Sequence, residues 1–292
     1  MIFTQNAQTG RKHLESGMKK QLYKLLFIFC MVLLAALYIY PVVLMVLNSF
    51  KPFKEVLTNV LALPVKWSSD NYIYVIEKMD YGRLFINNVV ITGIGIFGIV
   101  LFSSMAAYIL DRRKTRATKA IHTLIITPML IPFQTIMITL LKVMNIVHLS
   151  GSTWGLGIQY WGFGVPMATF IFYNFMKTVP MEIDESAQMD GASTFRIYLR
   201  IIFPLLKPVT ATVIVLDVMW IWNDFLLPLL MVNGSPKTIT LVLSAYNFVG
   251  QLNTKWHYAL AAMVLAILPS VVFFILLQKR IVEGVVAGSI KG

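Results

Sequence analysis

The residues of this chain that could do chemistry are polar side chains in apolar surroundings. Asp217, Trp220 and Asp224 lie in one long apolar run, and Gln134 lies in another. A carboxylate at membrane depth is costly and usually faces protein or water. An aromatic face beside hydrogen-bond acceptors suits a sugar, whose C–H groups stack and whose hydroxyls donate. These four residues are therefore candidate contacts along a substrate path, with Tyr160 as a weaker candidate.

A structural role for the two carboxylates remains open at this point. Asp217 could equally form a hydrogen bond between helices, and Asp224 could be a gate or a loop anchor. The seven-residue spacing predicts that Asp217 and Asp224 share one helix face, with Trp220 between them.

Catalytic and metal-binding patterns are missing from the sequence. His122 and His148 are isolated, and no H-E-x-x-H motif occurs. The single cysteine, Cys30, lies inside an apolar run and is expected to serve packing. No G-x-x-x-x-G-K-[ST] phosphate loop is present, and the segment 234–238 lacks its Gly-Lys pair. We expect no metal, no catalytic residue, no bound cofactor and no ATP hydrolysis by this chain.

The composition indicates an integral membrane protein. The 292 residues are 58% hydrophobic and 13% charged, whereas a soluble domain carries about 25% charged residues. The formal charge of +12 would suggest nucleic acid in a soluble protein. In a membrane protein it is better explained by basic residues in cytoplasmic loops.

The hydrophobic pattern predicts an all-α polytopic membrane protein with six transmembrane helices, since a span needs about 20 mainly apolar residues. The fourth is the weakest, because its three glycines and Pro166 predict a broken or kinked helix. The predicted spans are Leu22–Leu47, Ile86–Leu110, Ala120–Val143, Leu156–Met176, Val209–Val232 and Ala259–Gln278.

Loop charges predict that both termini are cytoplasmic. Of the 25 Lys and Arg residues, 17 fall before the first span or in its first three residues, between the second and third, between the fourth and fifth, or after the sixth. The first apolar run is longer than a signal-peptide core and is read as a retained helix. The predicted organisation is a cytoplasmic tail at 1–21, a permease domain at 22–278 and a second cytoplasmic tail at 279–292. No internal duplication is visible, which suggests that a second subunit completes any pathway.

Residues 178–208 form a polar segment between the fourth and fifth spans. Pro180 and the acidic residues after it suit a first helical turn, and Gly191 can take the positive φ that ends a helix. Ser193 or Thr194 can cap a second helix. The pattern predicts an amphipathic cytoplasmic hairpin that lies on lipid headgroups or docks a soluble partner; its acidic residues favour docking, because the inner leaflet is anionic. The apolar stripe of its second helix would comprise Phe195, Tyr198, Leu199 and Ile202.

The hairpin resembles the "EAA" signature of ABC importer permeases. Glu185–Ser186–Ala187, the triplet Asp190–Gly191–Ala192 and the later Ile201–x–Phe203–Pro204 have the spacing of that signature, with Ser186 and Phe203 in place of the usual Ala and Leu. The segment 222–228, WNDFLLP, resembles the corresponding segment of sugar importer permeases. The ending 287–292, AGSIKG, resembles that of the maltose-transporter MalG-type subunit.

The resemblance implies the type I ABC importer fold, with the hairpin as a coupling helix docked on a cytoplasmic ATPase. It implies alternating access in a bacterial-type cell membrane, with a di- or oligosaccharide as substrate. The implied partners are a second homologous permease, two copies of an ABC ATPase that bind ATP and Mg, and an extracytoplasmic solute-binding protein. Carried over to this sequence, the ATPase-coupling residues are Glu182, Glu185, Ala187, Asp190, Gly191 and Ala192.

The resemblance also assigns the loop between spans five and six. The segment 247–254 looks like a "scoop" that reaches into the sugar site of the binding protein, although a simple polar connector explains it as well. The C-terminal tail would insert between the two ATPase subunits, or else be a frayed terminus. The scoop residues are Asn247, Gly250, Gln251 and Asn253.

Other functions compete with a sugar importer. An ABC importer for a polyamine or a polyol phosphate would have the same architecture. An autonomous secondary transporter or channel would move solute without ATP. An intramembrane enzyme is remote, because the sequence holds no nucleophile–base pair or metal motif.

Overall fold

The computed structural model of the protein describes the backbone of residues 2–249 and 254–289, and the side chains of residues 20–249 and 254–278. All regular elements in these ranges are helical, in agreement with the predicted class. A 3₁₀ turn occupies Thr127–Leu130 and a π-helical turn occupies Tyr198–Ile202. The α-helices are α1 Ile2–Ser49, α2 Phe53–Thr58, α3 Asp70–Met79, α4 Tyr81–Arg112, α5 Arg116–Ile126, α6 Phe133–Ile146, α7 Thr153–Met176, α8 Glu182–Met189, α9 Thr194–Ile197, α10 Phe203–Leu205, α11 Lys207–Asn223, α12 Leu226–Val232, α13 Leu241–Tyr246 and α14 Trp256–Ser289.

Three helices of the described chain are long and apolar enough to cross a membrane. They are Lys20–Ser49 within α1, Tyr81–Arg112 and Trp256–Gln278 within α14. Two bent pairs raise the number to as many as five: α5 with α6, bent by 103°, and Thr194–Leu205 with α11, bent by 75°. A multi-pass helical protein is therefore confirmed, whereas the predicted count of six is not.

The fourth span was predicted to be broken or kinked, and the structure contradicts the break. α7 is one continuous helix of 24 residues with Pro166 inside it. Two of its glycines, Gly157 and Gly164, serve close packing against α4, since a Cβ placed on Gly157 would lie 2.8 Å from Cβ of Ile94 and 3.1 Å from the carbonyl oxygen of Ile91. Small residues are the usual means by which membrane helices approach this closely. α7 is nevertheless not among the helices counted as apolar enough to span.

The predicted fifth span, Val209–Val232, is interrupted, although the sequence analysis predicted it to be continuous. α11 ends at Asn223, Asp224 has extended backbone (φ −68°, ψ 137°), and α12 begins at Leu226. Pro228 has no N–H to donate to the carbonyl four residues earlier and its ring crowds that carbonyl. The break at Asp224 follows from this position of Pro228.

The helices differ greatly in how much of their surface the chain itself covers. α4 packs along α7, and α11 packs against α14. Of the apolar window in α4, 44% is buried, whereas none of the window in α1 is buried. α1 therefore leaves an apolar membrane helix without neighbours along most of its length.

Candidate functional site

The hairpin between α7 and α11 has the turn that its sequence predicts. α8 ends in a turn where the N–H of Gly191 donates to the carbonyl of Gln188 (2.9 Å) and the N–H of Ala192 donates to that of Ala187 (3.0 Å). Gly191 has a φ of +79°, a backbone conformation that only glycine adopts at little cost. The side chain of Ser193 then caps α9 by accepting from the N–H of Arg196 at 3.4 Å.

The predicted coupling residues divide into an exposed and a covered group. Glu182, Glu185 and Asp190 are exposed, and Gly191 has open space where a Cβ would be. Ala187 is only 8% exposed, so its methyl group packs inside the chain and leaves little surface for another protein. Ala192 is half-buried.

Met189 is a feature of the hairpin that the sequence reasoning missed. It is 89% exposed and directly precedes the turn at Asp190–Gly191. An apolar side chain this exposed at the tip of a turn offers a contact surface, and its place beside Gly191 was the available signal.

The second arm of the hairpin does not present the predicted apolar stripe. Tyr198 and Ile202 are buried, but Phe195 and Leu199 are 63% and 51% exposed. The turn from Tyr198 to Ile202 is π-helical, and a π turn holds more residues than an α turn. A spacing of three and four residues therefore does not keep these side chains on one face.

A second candidate site lies at the break between α11 and α12. Gln134, Trp220 and Asp224, three of the four predicted path residues, line one cavity of about 220 Å³. Sites that enclose a whole small ligand usually measure about 300–1,000 Å³, so this cavity is large enough for only part of an oligosaccharide. Its other lining residues are Phe133, Phe163, Leu226 and Leu227.

Asp224 is held in this cavity by two hydrogen bonds. Its Oδ2 accepts from the hydroxyl of Tyr160 at 2.8 Å, and its Oδ1 accepts from the N–H of Leu226 at 3.0 Å. Tyr160 is fully buried, and its ring meets that of Trp220 edge-on with centroids 5.3 Å apart. The carboxylate therefore has a fixed direction, caps α12 and lies beside an aromatic ring that is 41% exposed.

Asp217 does not join this cavity. α11 ends at Asn223 and Asp224 is its C-cap residue, so a shared helix face for Asp217 and Asp224 stays a prediction, but Asp217 is not among the residues that line the cavity. Asp217 is partly buried, and its Oδ2 has no hydrogen-bond partner among the described residues.

The N-terminal part of α4 forms hydrogen bonds to the loop that follows α12. The side-chain amide of Asn87 donates to the carbonyls of Lys237 (2.9 Å) and Ile239 (3.1 Å). Oδ1 of Asn88 accepts from the N–H of Leu241 at 2.9 Å. These two residues were not singled out in the sequence analysis, although adjacent asparagines inside an apolar run could have indicated a buried hydrogen-bonding role.

Only part of the predicted scoop falls within the described residues. Asn247 is exposed immediately after α13. Gly250, Gln251 and Asn253 lie outside the described residues.

Metal chemistry finds no support in the described part of the chain. There, no group of three or more His, Cys, Asp or Glu side chains is placed to hold a metal ion. Long apolar helices, an exposed polar hairpin and an aromatic cavity at a helix break together define a multi-pass membrane protein with two candidate contact sites.

Comparison with known proteins identifies the family. Residues 98–286 match the family described as binding-protein-dependent transport system inner membrane component, and the chain belongs to this family. It is 40% identical over 273 residues to the probable starch degradation products transport system permease protein AmyC of Thermoanaerobacterium thermosulfurigenes, covering 94% of this chain and 99% of that protein. It is 34% identical to the multiple sugar-binding transport system permease protein MsmG of Streptococcus mutans, covering 86% of this chain and 91% of that protein.

A solved structure shares the fold. A chain of a bacterial ABC transporter involved in the import of the acidic polysaccharide alginate superposes with a TM-score of 0.77 at 20% identity, covering 89% of this chain and 96% of that chain. The resemblance to carbohydrate-uptake ABC permeases, stated from the sequence, is confirmed by the family and by these relatives.

Proposed function

We propose that this chain is a transmembrane permease subunit of an ATP-driven importer for a di- or oligosaccharide. The observation that carries the proposal is a hairpin whose exposed tip, from Glu185 to Gly191, joins an acidic helix end to a glycine turn. The family and the sugar-transport names of its relatives support the same conclusion. The hairpin is the coupling helix, and it lies with both termini on the cytoplasmic side of a bacterial-type membrane.

The hydrolysis of ATP belongs to two ATPase subunits, which hold ATP and Mg. The contact surface on this chain comprises Glu182, Glu185, Met189, Asp190 and Gly191, with Ala192 at its edge. The exposed acidic groups and the apolar tip suit a groove that has basic residues at its rim and an apolar floor.

A second homologous permease covers α1. None of the apolar window of α1 is buried by this chain, and the cavity of about 220 Å³ is too small for an oligosaccharide. A homologous subunit would cover the apolar surface of α1 and enlarge the cavity. The proposed organisation remains a cytoplasmic segment at 1–21, a six-span domain at 22–278 that includes the coupling loop 178–208, and a cytoplasmic tail at 279–292.

The sugar path runs along the cavity at the α11–α12 break. Trp220 stacks on a sugar ring. Asp224 accepts hydrogen bonds from sugar hydroxyls, and the side-chain amide of Gln134 accepts from them or donates to them. Asp217 on α11 lies further along the path. An extracytoplasmic binding protein delivers the sugar to the opposite end, where the loop 247–254, including Asn247, Gly250, Gln251 and Asn253, reaches into its site. A bacterial alginate ABC transporter with a chain of similar fold, at a TM-score of 0.64 and 16% identity, has been solved in complex with a periplasmic protein that holds an alginate pentasaccharide.

The test is purification of the tagged chain from its native membrane, followed by uptake in liposomes. We expect an ATPase and a second permease to copurify and sugar uptake to require ATP. Glu185→Lys should lose the ATPase, because it reverses an exposed charge in the contact surface. Glu77→Lys, an equally exposed change on α3, should keep it. Recovery of the chain alone, still moving solute without ATP, would overturn the proposal in favour of a secondary transporter.

A further inference from the structure

The hairpin is attached to α4 through one buried acidic residue. Only two of the eight residues of α8 are buried, Asp184 and Ala187. The carboxylate of Asp184, which is 3% exposed, accepts from the hydroxyl of Tyr108 at 2.7 Å through Oδ1 and from Nε of Arg112 at 2.9 Å through Oδ2. α8 also makes apolar contacts through Ala187 and the half-buried Ile183, but Asp184 gives it a buried contact that is polar and directional.

The guanidinium of Arg112 connects three segments. Besides Asp184, it donates through Nη1 to Oδ2 of Asp111 at 2.7 Å, and through Nη2 to the carbonyls of Val179 (3.1 Å) and Pro180 (3.4 Å). The side chains of Arg112 and Asp184 are 10% and 4% exposed in this ion pair. A planar fork with several partners holds its neighbours in one orientation better than a single charge does.

The second arm of the hairpin is fastened to the same face of α4. The hydroxyls of Ser104 and Tyr198 are hydrogen-bonded at 2.8 Å in a buried position. The rings of Tyr108 and Tyr198 lie 5.6 Å apart between centroids. Ser104, Tyr108 and Arg112 follow one another at four-residue intervals, so they form a single stripe on α4. Both arms of the hairpin are thus tied to one helix face.

The other end of α4 is tied to the loop after α12. The 32 residues of α4 form an uninterrupted helix about 48 Å long. Asn87 and Asn88 near its start hold Lys237, Ile239 and Leu241. One straight helix therefore joins the hairpin to the loop on the far side of the membrane.

We infer that Asp184, Tyr108 and Arg112 form a rigid joint that makes α4 follow every displacement of the hairpin. The inference rests on the proposed function, in which a partner ATPase moves the hairpin. A buried ion pair adds little net stability compared with apolar packing of the same volume, so stability alone gives little reason for this cluster. A fixed geometry, with one hydrogen bond to each oxygen of the Asp184 carboxylate, is what a two-state movement needs, because a loose contact would absorb the displacement before it reached the spans. The three are positioning residues: they act on the sugar path through α4.

The experiment measures sugar taken up per ATP hydrolysed by the full complex in liposomes with its binding protein. Asp184→Asn and Arg112→Gln each break the charged contact. We expect each to lower this ratio at least about fivefold, while the ATPase still copurifies and still hydrolyses ATP. The double variant should lose no more than the worse single variant, because both remove the same contact.

A matched control is the exposed ion pair at the other end of α4. Asp80 lies 2.7 Å from Nη2 of Arg83, and both side chains are more than half exposed. Asp80→Asn removes one charge from a pair of the same kind, and asparagine tolerates the positive φ of 52° at this position. The ratio should stay at the wild-type value.

Three outcomes separate the possible failures. If uptake and hydrolysis by the Asp184 and Arg112 variants fall together, so that the ratio is unchanged, the cluster is only structural and the joint is wrong. If wild type itself needs no ATP, the importer assignment fails instead. If Asp184→Asn does not reach the membrane, Tyr108→Phe removes a single hydroxyl from the same carboxylate; it should lower the ratio by a smaller factor, and an unchanged ratio there would also refute the joint.

Discussion

The hairpin at 178–208 and the cavity at the α11–α12 break both lie where the chain leaves a regular helix, but they are formed in different ways. The hairpin turns at Gly191 through a local positive φ and a Ser193 cap, within a few residues of sequence. The cavity combines Gln134, Trp220 and Asp224 with Tyr160, from three separate parts of the chain. The first is an exposed turn, which we propose as a contact surface, and the second is a recess that depends on packing. Changes in the hairpin should therefore affect coupling, and changes in the cavity should affect sugar recognition.

The largest effect should come from Gly191→Val. Its φ of +79° costs a β-branched residue at least about 1–2 kcal/mol, and the added side chain projects into the space where the ATPase would dock. ATP-dependent uptake should fall more than about tenfold, while the amount of chain in the membrane stays close to wild type.

Gly191→Asn separates the two causes in that prediction. Asparagine accepts the positive φ but still adds a side chain. If it retains uptake, backbone strain explains the valine defect; if it fails equally, docking explains it. Full uptake by the valine variant would remove Gly191 from the coupling surface.

An intermediate effect is expected from Trp220→Ala in the cavity. The indole is 41% exposed and faces the same recess as Asp224, and an aromatic contact contributes about 0.5–1.5 kcal/mol beyond its buried area. The sugar concentration for half-maximal uptake should rise about 3- to 10-fold, with unchanged copurification of the ATPase. Trp220→Phe, which keeps an aromatic face, should restore most of the affinity. Equal loss of ATPase binding would contradict the proposed separation of the two sites.

The smallest effect should come from Tyr160→Phe. It removes the 2.8 Å hydrogen bond to Asp224 and keeps the ring against Trp220, so one oxygen of a carboxylate that lines a cavity loses one partner while the packing is unchanged. Uptake should fall only a few-fold, and thermal unfolding of the purified chain should begin at a slightly lower temperature. A loss as large as that of Gly191→Val would mean that Asp224 gates the path rather than anchoring α12.

The two regions also differ in how far the sequence predicted them. In the hairpin, Gly191 and Ser193 gave the turn and the start of the second helix correctly, because turns and caps depend on neighbouring residues, whereas α8 begins at Glu182, two residues after Pro180. The apolar stripe failed at Phe195 and Leu199, because a π turn has no recognised signal in the residue spacing. Ala187 was assigned to a contact surface although tertiary packing buries it.

In the membrane part, composition identified apolar helices but not their breaks. Glycines that suggested a break in α7 turned out to let it approach α4, as the contact between Gly157 and Ile94 shows. Pro228, whose effect is felt four residues earlier, ended α11 where a continuous span had been predicted. The sequence does not distinguish a glycine that bends a helix from one that lets a second helix approach closely. The helix packed against it decides between the two.

The sequence by itself determined that this chain is a helical membrane protein, that it belongs with carbohydrate-uptake ABC permeases, and that its hairpin turns at Gly191. These properties follow from composition, spacing and local backbone preferences. The tertiary structure alone decided that Tyr160 anchors Asp224 beside Trp220, and that Asp184 is held by Tyr108 and Arg112 instead of joining the exposed acids around it. Those contacts join residues 64 to 76 positions apart, and the helix packing that brings them together is not visible in any local pattern.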